Sequence, residues 1–138
     1  MPYRYAMPRA PLSPAAEAFL AQARPAVMAT IRSDGLPATV ACWYDWREGR
    51  LWLSMYSSAK RLASLRSNPG VAVTVLGDPW YSHVTLIGRA VEFRQDPDLA
   101  DIDGLSERYM GQPYVERSDL LTTVIVEVER WHAWRIED

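Results

Sequence analysis

The sequence predicts an α+β domain whose core is a small antiparallel barrel of six strands. Three observations predict it. Apolar residues recur with period two in six segments, and short turns rich in Gly, Pro and Asp join most of them. Three stretches of helical spacing interrupt that pattern. Strands joined mainly by turns are antiparallel, and six twisted strands with a continuous apolar face close most easily into a barrel.

Taken in order, residues 1–12 hold Pro2, Pro8 and Pro11 with Tyr3, Tyr5, Arg4 and Arg9, and read as an extended arm without helix or ladder. Residues 13–138 read as one domain. Ser13-Pro14 starts a helix over 14–23, with Ser as N-cap and Pro at the first helical position; Pro25 stops it. Val27, Ala29 and Ile31 alternate with Met28, Thr30 and Arg32 in a first strand, which ends at the turn Ser33-Asp34-Gly35. Ala38 to Trp46 is a second strand, and Arg47-Glu48-Gly49 turns it into a third that carries Leu51, Leu53 and Met55. Lys60 to Ser67 reads as a two-turn helix with Leu62 and Leu65 inward. Val71, Val73 and Val75 form a fourth strand, and Trp80 to Arg94 a long fifth with a bulge or corner at Gly88. Asp96-Pro97 starts a third helix that ends at Gly111, and Thr122 to Ile136 is the last strand.

Composition excludes several classes. The 138 residues, 49% apolar with a formal net charge of −2, suit one globular domain. No apolar run approaches the roughly 20 residues of a membrane span, and the first residues lack the apolar core of a secretory signal. The expected location is therefore cytoplasmic. The single Cys42 forms no internal disulfide, and with only His83 and His132 it supplies no usual structural zinc site. The charge balance provides no field for nucleic acid. Of the 15 basic residues, Lys60 is the lone lysine among arginines, and six of the aromatics are Trp.

The sharpest local feature is Tyr56-Ser57-Ser58-Ala59-Lys60-Arg61. A strand ends, two hydroxyls follow, and a helix begins with two cations. Free N–H groups and the helix dipole attract an anion there, Ser57 and Ser58 add donors, and Lys60 and Arg61 add charge. The same residues also fit a plainer role, with Ser58 as helix cap and the cations solvated. Trp43, Tyr44, Trp46, Trp52, Tyr56, Trp80 and Tyr81 cluster around the second, third and fifth strands, as core, subunit seam or lining for a flat ligand. His83 reads as structural, and no base stands beside Cys42 in the sequence. Ser-hydrolase, zincin and P-loop motifs are absent.

In order and spacing, Val27-Met28-Ala29-Thr30-Ile31, Asp34-Gly35-x-Pro37, Trp43, Ser58-Ala59-Lys60-Arg61, Leu65-Arg66-x-Asn68-Pro69, Pro79-Trp80-Tyr81, Ile87-Gly88-Arg89-Ala90, Ile102-Asp103-x-Leu105 and Arg108-Tyr109-Met110-Gly111 resemble a known family. The chain resembles the FMN-binding split-barrel superfamily of pyridoxamine 5'-phosphate oxidase-like proteins, and within it the coenzyme F420 (deazaflavin)-dependent reductases. The resemblance implies a six-stranded split barrel, a homodimer with cofactor sites at the interface, and a small-molecule substrate. It implies cofactor phosphate at Ser57, Ser58, Lys60 and Arg61, the ring near Thr39, Ala41 and Trp43, backbone contacts from Met28, Ala29 and Thr30, and Trp80 near the ring or substrate mouth. Gly or Arg often precedes the Ala-Lys step in deazaflavin-using relatives, where this chain has Ser57 and Ser58; Pro-Val-Trp of the second strand is here Ala41-Cys42-Trp43. The implied function is hydride transfer from the deazaflavin to a small unsaturated substrate. FMN is the alternative cofactor, and a non-catalytic flavin or deazaflavin binder the alternative role. Tyr81 and His83 are candidate proton sources.

Overall fold

The computed structural model describes residues 7–136. Helix α1 (Pro14–Leu20) begins as its sequence requires, with the Ala16 N–H donating to the Ser13 hydroxyl at 3.2 Å. It ends three residues before the expected 23. The Leu20 and Gln22 carbonyls are taken by Tyr44 and Arg108 side chains instead of helical N–H groups.

Strand β1 (Ala26–Ile31) turns its Ala26, Met28 and Thr30 face inward, and Ile31 is exposed. It pairs with β2 (Pro37–Cys42) across a turn in which Gly35 has φ 85° and Asp34 accepts from the Leu36 N–H at 3.0 Å. The expected strand over 38–46 does not continue. It breaks at Trp43–Tyr44 and resumes as β3 (Asp45–Arg47). Tyr44 is fully buried, and its backbone groups find partners outside any ladder. Its N–H donates to the Tyr109 hydroxyl at 3.3 Å, and its carbonyl accepts from Arg108 Nε at 3.1 Å. With both groups satisfied, the chain can leave the sheet there at little cost.

That break changes the strand count and accounts for the two edges of the sheet. The single sheet has seven strands in the order β2-β1-β5-β6-β7-β4-β3, antiparallel throughout, instead of six. Its two edges, β2 and β3, are successive pieces of one segment joined by two residues. The barrel is split at that point.

The β3–β4 hairpin turns on Glu48 and Gly49, both at positive φ (55° and 71°), the geometry of a two-residue primed turn. Strand β4 (Arg50–Tyr56) buries Leu51, Leu53 and Met55. Helix α2 (Lys60–Ser67) has the expected bounds and buries Leu62 and Leu65. Its N-cap is Ala59, with no side-chain cap bond, so Ser58 does not cap it.

Strand β5 (Gly70–Leu76) sends Val71, Val73 and Val75 inward. Strand β6 (His83–Gln95) starts three residues later than expected, because Trp80–Ser82 belong to a turn closed by Ser82 N–H to the Pro79 carbonyl (3.0 Å) and Gly77 N–H to the Ser82 carbonyl (2.7 Å). The register shifts at Ile87/Gly88, as the glycine foretold. A Cβ on Gly88 would lie 2.0 Å from the Glu127 carbonyl oxygen, so only glycine permits this approach.

Helix α3 (Ala100–Met110) begins later than Asp96-Pro97 suggests. Asp96 still serves its start from a distance, accepting from the N–H groups of Asp101 (3.1 Å) and Ile102 (3.0 Å). Gly111 closes the helix at φ 75°. Strand β7 (Leu121–Trp134) buries Val124, Val126 and Val128 in the main core with Leu53, Val73 and Tyr44. Leu121 packs in a smaller cluster with Leu99, Ile102 and Leu105 beneath α3.

The described part of the N-terminal arm is not free of a ladder. Trp131 N–H donates to the Pro8 carbonyl and Ala10 N–H to the Glu129 carbonyl, both at 3.1 Å. The stretch thus pairs with β7 of its own chain beyond the residues that β4 covers. Tyr3 and Tyr5 lie outside the described residues.

Candidate functional site

The strand break, the end of β4, the first turn of α2 and the inner side of α3 meet around a cavity of about 440 Å³. Its walls are mostly apolar: Ala26, Ala41, Met55, Ile102, Leu105 and Leu121. Trp43, Tyr56 and Tyr114 add three rings, and Cys42, Ser54 and Arg61 add the polar atoms. An apolar chamber of this size with few polar groups has the character of a small-molecule site.

Two of those polar atoms are unusual. Among the described residues, three buried side-chain polar atoms lack a hydrogen-bond partner: Trp52 Nε1, Ser54 Oγ and Arg61 Nε. Ser54 and Arg61 both line this cavity. A buried donor left unpaired costs about 1–3 kcal/mol, so two at one chamber call for a ligand with acceptor atoms.

The rings are held by contacts from distant elements. Trp43 stacks on Tyr109, with centroids 5.4 Å apart and planes 12° from parallel, and meets Tyr114 edge-on at 6.2 Å. The Tyr56 and Tyr114 hydroxyls are 2.9 Å apart. That hydrogen bond, with burial, pushes the Tyr114 phenol up to about 12, and burial also raises Tyr109. Burial pushes the Cys42 thiol up to about 11 despite the nearby Arg61 charge. At neutral pH the wall therefore presents neutral hydroxyls, a neutral thiol and one cation. It contains no nucleophile activated by a base.

Arg61 also borders a second, more polar groove of about 910 Å³ on the other side. Thr30, Arg32, Ser33, Lys60, Ser64 and Asn68 are among its walls. Helix α2 opens into this region with no acidic residue in its first turn and no side-chain cap. Among the described residues, no carboxylate pairs with Lys60 or Arg61, whereas Arg32 is paired with Asp34 at 2.8 Å. Unpaired cations at the positive end of a helix dipole repel that end unless an anion joins them. Ser57 and Ser58 lie in a third recess with Tyr56, Ser118, Asp119 and Leu120. The Ser57 hydroxyl is already bonded to that of Thr122 at 2.8 Å.

The structure thus brings Ala41, Trp43 and Arg61 to the cavity, and Thr30, Lys60 and Arg61 to the groove. Met28 is in the core, and Ala29 and Thr39 are cross-strand partners on the outer face of the sheet. Trp80 is 73% exposed in the turn before β6, away from these cavities, beside Tyr81. His83 bonds the Tyr81 carbonyl at 2.8 Å through Nδ1 and lines none of the three. Sequence reading missed Ser54, Ile102, Leu105 and Tyr114 as lining residues. Ser54 shares the outward side of β4 with Trp52 and Tyr56, which is a readable signal; Tyr114 sits in a polar connection that offers none.

The family model described as pyridoxamine 5'-phosphate oxidase matches residues 12–135. The chain belongs to the pyridoxamine 5'-phosphate oxidase family. The match takes in all seven strands and all three helices of this family's fold, which binds flavin-type cofactors. A solved F420 reductase superposes with a TM-score of 0.76 at 23% identity, covering 96% of this chain and 98% of that one. The conserved hypothetical protein Rv2991 from Mycobacterium tuberculosis superposes with a TM-score of 0.73 at 23% identity, covering 96% and 89%. General Stress Protein 26 from Bacillus anthracis str. Sterne gives 0.66 at 16% identity, covering 89% and 95%. At these identities the likeness is one of fold. A search of curated proteins returns no match. In this member of the pyridoxamine 5'-phosphate oxidase family, the strand break falls at Trp43–Tyr44, and its Trp43 lines the cavity. No cluster of three metal-ligating side chains and no helix long and apolar enough to cross a membrane occurs among the described residues.

Proposed function

We propose that the chain is an oxidoreductase that binds coenzyme F420 and reduces a small unsaturated substrate. The observation that carries this reading is Arg61. Its unpartnered Nε lies at the junction of an anion-seeking groove and an apolar, ring-lined cavity. A cofactor with a phosphate and a flat ring needs that pair of environments. The acidic tail of F420 suits the continuation of the groove past Lys60 to Arg32, and the F420 reductase neighbour agrees in fold.

In this reading Lys60 and Arg61 hold the phosphate from the groove, and Ser57 and Ser58, which border the neighbouring recess, add hydroxyl donors by turning toward it from the Thr122 side. Ala41 and Trp43 border the ring, joined by Thr39 and by backbone groups of Met28, Ala29 and Thr30. A homodimer would bring the outer-face residues Ala29 and Thr39, and the exposed Trp80, to a subunit seam. When bound, the cofactor supplies a hydride, and the protein supplies orientation and exclusion of competing reactions. That division of labour matches walls of neutral donors without a nucleophile. FMN chemistry is the second reading, favoured by the family match itself.

Oxidation of reduced F420 by a panel of small conjugated acceptors tests the function. Acceptor-dependent oxidation is expected, and Lys60→Ala should weaken cofactor binding by roughly 1–3 kcal/mol. Bound F420 that no acceptor oxidises would leave a binder and remove the catalytic claim.

A further inference from the structure

The connection 111–120 is exposed almost throughout: Val115 is 77% and Leu120 72% accessible. Tyr114 is the exception, turned in against Trp43 and the Ile102–Leu105 side of α3 to wall the cavity. Its backbone is gripped from both sides. Its N–H donates to Asp103 Oδ1 at 3.0 Å, and its carbonyl accepts from Arg117 at 3.0 Å. Arg117 closes the ring by meeting the same Asp103 carboxylate at 2.7 and 3.3 Å.

This clasp is poorly placed to hold the fold together. Arg117 is half-exposed, and exposed ion pairs contribute little to global stability. What it does fix is the position of one residue. The two tyrosine hydroxyls share a single hydrogen bond, so one O–H proton of the pair remains free to donate.

We propose that Tyr114 is a specificity-determining wall of the cavity, and that Asp103 and Arg117 are the positioning residues that hold it there. The ligand class is a flat unsaturated molecule that shares the cavity with the cofactor ring and whose width is limited by Tyr114. An acceptor oxygen on its edge faces the Tyr56–Tyr114 hydroxyls. The identity of the co-bound hydride donor rests on the F420 reading above, whereas the wall itself does not.

Arg117→Ala, Arg117→Lys, Tyr114→Phe and Tyr114→Ala test this by hydrogen exchange of the 112–120 peptide and by binding of 8-anilinonaphthalene-1-sulfonate, an anion that carries a flat apolar naphthalene ring. Arg117→Ala should speed exchange at the Tyr114 amide about tenfold, while Arg117→Lys restores most of the protection. Tyr114→Ala should bind the dye more tightly, and Tyr114→Phe should match the wild type for the dye. In turnover, Arg117→Ala should raise KM for the acceptor about tenfold with kcat little changed. Wild-type exchange in Arg117→Ala, or wild-type dye affinity in Tyr114→Ala, would overturn the proposal. If F420 and FMN both fail to bind the wild type, the cofactor reading falls, and the exchange and dye arms still decide the wall.

Discussion

Replacing Arg108 with alanine should unlock the barrel where it is split. The Arg108 guanidinium, on α3, donates to four carbonyls: Tyr44 at 3.1 Å, and Leu20, Ala21 and Gln22 each at 2.9 Å. It thereby ties α3 to the end of α1 and to the strand break. The bonds to Ala21 and Gln22 are exposed and count for little. Those to Leu20 and Tyr44 are partly buried, and a hydrogen bond from a charged donor contributes about 1.5–3 kcal/mol there. The same guanidinium lies 5.1 Å over the Tyr44 ring, which adds about 0.5–1 kcal/mol. Taking the low end for each bond, the loss is about 3 kcal/mol, and the melting temperature should fall by about 10 °C. Urea unfolding followed by Trp fluorescence measures it. Arg108→Lys should recover less than half, because one ammonium cannot span four carbonyls as a planar fork does. A loss below about 1 kcal/mol would show that the break at Trp43–Tyr44 holds itself without Arg108.

Three further outcomes follow from other parts of the molecule. Gly88→Ala should cost more than about 4 kcal/mol or prevent folding, since the new methyl meets backbone at 2.0 Å; a thermal melt decides it. Cys42, with its thiol pushed up to about 11, should react with a thiol reagent at pH 8 about two orders of magnitude more slowly than a free cysteine near 8.5, and speed up steeply toward pH 11. The Arg117 hydrogen bond holds the Asp103 carboxyl below its usual range, so the unfolded chain takes up that proton first as pH falls. The clasp therefore holds the 112–120 connection in place above the ordinary carboxylate value of about 4, and that local hold is lost as pH falls through the folded value. The difference in protection of the Tyr114 amide between wild type and Asp103→Asn, measured by hydrogen exchange corrected for the intrinsic pH dependence, should be level from about pH 7 to 5 and vanish in stronger acid.

Much of the fold was legible because it is local. The hairpin at Glu48-Gly49, the span of α2 from Lys60 to Ser67, the register shift at Gly88 and the stop at Gly111 each follow from a residue that tolerates what its neighbours need. The break at Trp43–Tyr44 was not legible. Residues 38–46 keep β-rich composition throughout, with neither Gly nor an internal Pro, and the partners that free Tyr44 from the ladder, Arg108 and Tyr109, stand more than sixty positions away. Trp80 misled for a related reason: an aromatic pair resembles the start of a strand until the turn bonds of Pro79 and Ser82 are seen. In the candidate site, Lys60 and Arg61 stood out because cations at a helix start are electrostatically awkward without an anion. Tyr114 did not, because its place depends on Asp103 and Arg117 meeting across a connection whose composition is that of a loop.

On the proposed reading, Arg61 joins a phosphate-seeking groove to a ring-sized cavity suited to F420. A parallel titration of the chain with F420 and FMN, read by Trp fluorescence, tests it most directly. Saturable binding of F420 tighter than about 100 µM, or about −5.5 kcal/mol, is expected, weakened by both Lys60→Ala and Arg61→Ala, with FMN binding more weakly. Binding of neither cofactor at that concentration, or F420 binding that both substitutions leave unchanged, would contradict it.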